Sequence, residues 1–126
     1  MRCTTESLMK KYPTDLPFPF ARAVEANGFL FLSGQVAMNP RGEPLPGSIA
    51  EQTAHILRSI SATLQHCGSA PEKIVKATVW LSDMQHFAAF NLAWRAFFGE
   101  DFPARTTVTS RLAFDLDVEI EVQALA

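Results

Sequence analysis

Apolar and polar residues alternate at the end of the chain: Val118, Ile120, Val122 and Ala124 are apolar, while Glu119, Glu121 and Gln123 are polar. A period of two predicts a half-buried strand from Asp117 onward. Phe20 to Glu25 and Phe29 to Gln35 read as two more strands, joined by Asn27-Gly28, a pair that readily takes the positive φ angles of a tight turn. Asn39-Pro40-Arg41-Gly42 through Pro46-Gly47 is dense in turn residues and predicts a loop. Ser48 then stands three residues before Glu51, the capping-box spacing. Behind it Thr53, Ile56, Leu57, Ile60, Leu64 and Cys67 recur on one face of a helix of about 20 residues, which Gly68 would end. Ile74 to Leu81 is rich in β-branched residues, includes Trp80 and predicts a strand. A second helix follows Ser82-Asp83, with Phe87, Phe90, Trp94, Phe97 and Phe98 as its stripe and Gly99 as its stop. Pro103 opens a further strand, Ala104 to Ser110. The expected architecture is one sheet and two helices in a single α+β domain over residues 17–126, preceded by a polar, aperiodic entry arm over 1–16.

Phe29 to Leu32 place apolar groups on both faces of one strand, and Val79 to Leu81 do so on another. Two helices cover only one face of such a sheet. A second copy of the chain is the simplest cover for the other, with loops as the alternative.

With 126 residues the chain is long enough for one core, and 48% hydrophobic against 19% charged residues places it outside the disordered regime. A net charge of -2 gives no general attraction to nucleic acid. No apolar run approaches the ~20 residues of a membrane span, and Met1 to Asp15 carries no apolar block of a secretory signal. With only Cys3 and Cys67, the expectation is a reducing, cytoplasmic setting without a disulfide framework.

Few groups are left to do chemistry. His55 and His66 would lie about 16 Å apart along one helix and His86 has no partner at ligand spacing, so no metal is expected. Cys67 lies in the apolar stripe and reads as a small hydrophobe. No dinucleotide, P-loop or serine-hydrolase motif occurs. Arg105, at the mouth of a strand, is either a surface ion-pair partner or a bidentate clamp for a small carboxylate. Glu121 is either a solvated sheet residue or, under a partner subunit, a partly buried acid or base.

Phe31-Leu32-Ser33-Gly34-Gln35, Thr78-Val79-Trp80-Leu81 with Asp83-Met84, Phe87 with Asn91, Phe97-Phe98, Pro103-Ala104-Arg105 and Val118-Glu119-Ile120-Glu121 occur in that order. From about Pro19 to Ala126 the sequence thereby resembles the reactive intermediate deaminase (Rid, or YjgF) family. The resemblance implies a chorismate-mutase-like α+β fold: a single sheet with two helices on one face, and a homotrimer built around the other. It also implies ligand clefts between subunits, and cofactor-independent hydrolysis of reactive 2-imino and enamine acids to 2-keto acids and ammonia, a form of metabolite damage control. The alternative is a non-catalytic trimer that binds keto acids or other small carboxylates in a regulatory or buffering role. By the same resemblance Arg105 would bind the substrate carboxylate and Glu121 would position the attacking water. Phe20, Ser33, Gly34, Asn91 and the Thr107 carbonyl would line the cleft, with no metal or organic cofactor and no nucleic-acid or membrane partner.

The chain departs from the family pattern in places. Phe20 stands where Tyr is common, Ala21-Arg22 replaces Ser-Gln, Thr107 replaces Cys and Gln123 replaces Glu, while the Arg111 to Asp117 loop is long. Arg22 is either a second cation for a larger anionic substrate or a solvent-facing side chain.

Overall fold

The computed structural model of the protein describes residues 8–126; Cys3 and the start of the expected arm lie outside them. Six strands form one sheet: β1 (Met9–Pro13), β2 (Ala21–Ala26), β3 (Phe29–Leu32), β4 (Ile74–Leu81), β5 (Ala104–Thr109) and β6 (Val118–Leu125). Helix α1 (Ile49–His66) connects β3 to β4, and α2 (Phe87–Phe98) connects β4 to β5. The strand order is β1-β2-β3-β6-β4-β5. Only β4 and β5 pair in parallel, because α2 carries the chain back across the sheet between them. The expected α+β architecture, one sheet with two helices, is the one observed.

Local chemistry accounts for most element ends. Asn27 and Gly28 take φ of 53° and 82° in the β2–β3 turn. At the start of α1 both halves of the capping box form: Glu51 N donates to Ser48 Oγ at 3.1 Å, and Ser48 N donates to Glu51 Oε1 at 3.0 Å. Gly68, at φ 81°, lets Ser69 N turn back to the Leu64 carbonyl. One element differs from the sequence reading. Part of the segment read as an aperiodic arm forms β1, antiparallel to β2, with Tyr12 set edge-on to His66 of α1. A short edge strand bearing Lys10 and Lys11 has no alternation to reveal it.

The helices cover one face of the sheet. Leu30, Leu32, Ala77, Val79, Leu81, Val118, Ile120, Val122 and Ala124 are buried there against Ile56, Leu57, Ile60, Leu64, Phe90 and Trp94. The strand registers put Phe29, Phe31, Thr78, Trp80, Val108, Glu119 and Glu121 on the opposite face. Phe29, Phe31 and Val108 are 38%, 43% and 39% exposed, so this face is open and partly apolar within one chain.

Two irregularities lie side by side in the sheet. Pro13 opposes Ala21 but Tyr12 opposes Ala23, so Arg22 is an extra, bulged residue of β2. Phe31 opposes Gln123 whereas Gln35 opposes Ile120, which places one extra residue around Ser33-Gly34. The two bulges touch, because Ser33 N donates to the Arg22 carbonyl and Ser33 Oγ to that of Ala21 at 2.6 Å. The nearby start of β6 is anchored by buried Gln52 of α1, which accepts from Asp117 N at 3.0 Å and donates to Asp117 Oδ2 at 3.2 Å.

Candidate active site

Arg105 shares the helix-covered face with Ala77, its partner across the β4–β5 pair. That places its guanidinium under α2, where Nη2 donates to Asn91 Oδ1 at 2.8 Å. The rings of Phe90, Trp94 and Phe87 lie 5.3, 5.4 and 5.7 Å from its central carbon. Burial holds its pKa below the ordinary guanidinium value, though a guanidinium remains a cation at any physiological pH. Among the described residues no carboxylate comes within ion-pair distance of it. Among the described residues, the surface ion pair left open by the sequence does not form. Thr107, two residues along the same face, buries a hydroxyl with no partner among the described residues. A half-buried cation, oriented by one amide and three aromatic rings and lacking a counter-charge, can accept a small carboxylate through two parallel hydrogen bonds.

A cavity of about 840 Å³ opens elsewhere, between α1 and the segments before β2, after β3 and before β6. Phe20, Ser33 and Gly34 line it, together with Phe18, Arg22 and Glu119. Phe20 stacks on Phe18 with centroids 6.1 Å apart, and Phe114 leans on Phe18 at 6.2 Å. Phe114 holds φ at 59°, a costly conformation for a bulky residue, and its ring lines this cavity. Glu119 stands directly over Gly34: a β-carbon on Gly34 would come within 2.5 Å of Glu119 Oε2. Burial, and secondarily the charge of Glu121, push the Glu119 carboxyl above the usual carboxylate range.

The expected site residues thus fall in three places. Arg105, Asn91 and Thr107 cluster under α2 at the β5 edge; Phe20, Ser33 and Gly34 wall the cavity. Glu121 lies half-buried on the open face opposite Thr78. It is two strands from β5, roughly 10 Å, and on the other side of the sheet from Arg105. One chain therefore does not bring Arg105 and Glu121 onto a single small molecule. Glu119, Phe18 and Phe114 are site residues that the sequence reading does not single out. Glu119 shares the polar face of β6 with Glu121 and was legible from that period; the two rings belong to loops and carry no periodic signal.

The other sequence candidates stay apart. His55 Nε2 lies 2.9 Å from the Met38 carbonyl, His66 packs on Tyr12, and His86 approaches Asp117 at 3.8 Å. Burial pushes the Cys67 thiol up, which keeps it protonated and a poor nucleophile. Among the described residues no helix is long and apolar enough to cross a membrane.

Comparison with known proteins gives this arrangement a family. Residues 14–126 match the family described as Endoribonuclease L-PSP. A RutC family protein of Pyrococcus horikoshii is 41% identical over 108 residues, covering 84% of this chain and 86% of its own. Among solved structures, yeast Mmf1 superposes with a TM-score of 0.85 at 33% identity over 93% of this chain and 98% of that one. The Rid family protein YyfA of Yersinia pestis gives a TM-score of 0.86 at 33% identity, covering 94% of this chain and 99% of its own. With a matching sequence family, matching relatives and the same sheet and helices, the chain belongs to the Endoribonuclease L-PSP family, also known as the YjgF or Rid family.

Proposed function

We propose that three copies of this chain assemble around their open sheet faces and hydrolyse reactive 2-imino acids to 2-keto acids and ammonia at clefts between subunits. The observation that carries this reading is the uncompensated, half-buried Arg105 guanidinium in its aromatic cage. Its position away from Glu121 supports a shared cleft, with Arg105, Asn91 and Thr107 supplied by one protomer. Phe20, Ser33, Gly34 and Glu121 come from its neighbour.

In such a cleft Arg105 holds the substrate carboxylate and fixes the C=N carbon beside a water positioned by Glu121. With the substrate as its iminium, the water oxygen bonds to that carbon as Glu121 takes one water proton and the C=N electron pair moves to nitrogen, leaving a neutral tetrahedral carbinolamine. Glu121 passes that proton to the nitrogen, the C–N bond breaks as the carbonyl forms, and the hydroxyl proton goes to the Glu121 carboxylate as ammonia departs. Such imines already hydrolyse in water, so a hundred- to thousandfold gain requires only about 3 to 4 kcal/mol. One oriented water and one placed carboxylate are sufficient for that. The family description also names an endoribonuclease, but a net charge of -2 offers the polyphosphate backbone no general attraction.

The direct test generates 2-imino acids in situ with an amino acid oxidase and follows keto acid release. Acceleration by the protein supports the reading. Release at the uncatalysed rate across a panel of imines, together with measurable keto acid binding, would favour a carboxylate-binding trimer without turnover.

Gly34→Ala separates the cleft from the fold. Only the flexible end of Glu119 meets the new methyl, so the carboxylate swings aside and the expected stability loss is below about 1 kcal/mol. The same methyl narrows the wall that faces substrate, so turnover should fall about tenfold. Thermal melting paired with the imine assay checks both halves.

A further inference from the structure

Arg22 is the residue whose direction the sequence left open, and the structure gives it. As the bulged residue of β2 it turns away from the open face and toward α1, where its Nε donates to Thr63 Oγ1 at 2.8 Å. Thr63 is 2% exposed and Arg22 half-buried, so the contact is built into the fold rather than formed in solvent. Both residues line the cavity that Phe20, Ser33 and Gly34 wall. Anchoring through Nε leaves the two terminal nitrogens of the guanidinium as a fork, the geometry that grips a carboxylate end-on. Among the described residues no carboxylate lies within ion-pair distance of Arg22. The neighbouring acids on the cavity wall are exposed Asp15 and Glu119. Burial already biases Glu119 toward its neutral form.

The cavity is also larger than a three-carbon imine needs. At about 840 Å³ it falls in the range that encloses whole small-molecule ligands. Arg22 and the Ser33-Gly34 wall line this same cavity, and the Ser33 and Arg22 backbones are hydrogen-bonded neighbours.

We propose that Arg22, oriented by Thr63, forms a second anion subsite that binds a distal carboxylate, so that the preferred substrates are 2-imino dicarboxylic acids. This deepens the proposed imine hydrolysis and rests on it. Arg105 holds the carboxylate next to the reacting carbon, and Arg22 of the neighbouring protomer holds the far one. The cleft then selects on charge at both ends of the molecule, since a neutral side chain leaves the Arg22 fork without a partner.

The test compares the imino acids formed from glutamate and from glutamine, which differ only in the distal group, each generated in situ by an oxidase. Wild-type protein should prefer the dicarboxylate by about tenfold or more in kcat/KM, the range of a charge-assisted pair. Arg22→Met should collapse that ratio toward one, and Arg22→Lys, which keeps the charge but loses the fork, should fall between. Equal rates on the two substrates in wild type, or a ratio unchanged in Arg22→Met, would overturn the subsite while leaving imine hydrolysis intact. If no imine is hydrolysed faster than in buffer, the proposed function fails first. Calorimetric titration with 2-ketoglutarate then decides the subsite: tighter binding to wild type than to Arg22→Met supports it, and equal binding overturns it.

Discussion

Arg105→Ala is expected to abolish the acceleration of keto acid release while leaving the fold in place. The lost clamp consists of two charge-assisted hydrogen bonds of about 1.5 to 3 kcal/mol each, together enough to cancel the whole acceleration of about 3 to 4 kcal/mol, so kcat/KM should fall by a factor of about a hundred to a thousand, to the rate in buffer. Stability should move much less, because two contributions oppose each other. The variant loses the hydrogen bond to Asn91 and the contacts with Phe87, Phe90 and Trp94. It also removes a desolvated cation with no carboxylate partner, whose burial costs the fold free energy. A net change within about 1 kcal/mol would shift the melting temperature by only a few degrees. A folded Arg105→Ala variant with wild-type turnover would contradict the assignment.

Phe31→Asp is expected to break the assembly and, with it, the activity. Within one chain the ring is 43% exposed, beside Val24 and Gln123 in the register, so a carboxylate there harms an isolated protomer little. Under a neighbouring subunit the same carboxylate would be buried among apolar groups without a partner, at a cost of several kcal/mol per copy. Light scattering should then report single chains for the variant and trimers for wild type. The imine assay should read the uncatalysed rate even though Arg105 and Glu121 are both present. A trimeric variant, or an active monomer, would show that the open face is not the interface.

Much of this is legible in the sequence. The alternation from Val118 to Ala124, the Asn27-Gly28 turn and the Ser48-Glu51 box are each decided by neighbours in sequence, and each forms as read. What escaped depends on partners far along the chain. β1 exists because β2 offers it an edge, not because Met9 to Pro13 alternates. The bulges at Arg22 and Ser33-Gly34 come from mismatched strand registers, and they change what the adjacent side chains face. The periodicity of α2 predicts an apolar stripe, and its Phe90 and Trp94 are core; that they also cage Arg105 follows only from the parallel pairing of β5 with β4. The cavity itself is assembled from loops, among them the strained turn at Phe114, where no periodic pattern exists to be read.

Subunit mixing tests the division of labour between protomers most directly. Arg105→Ala and Glu121→Gln, each expected to be inactive alone, are combined in equal amounts and allowed to exchange, with hybrid trimers confirmed by native mass spectrometry. If each cleft takes its arginine from one protomer and its glutamate from the next, random assembly leaves about one cleft in four intact, and about a quarter of wild-type turnover should return. Hybrid trimers as inactive as their parents would contradict the shared cleft.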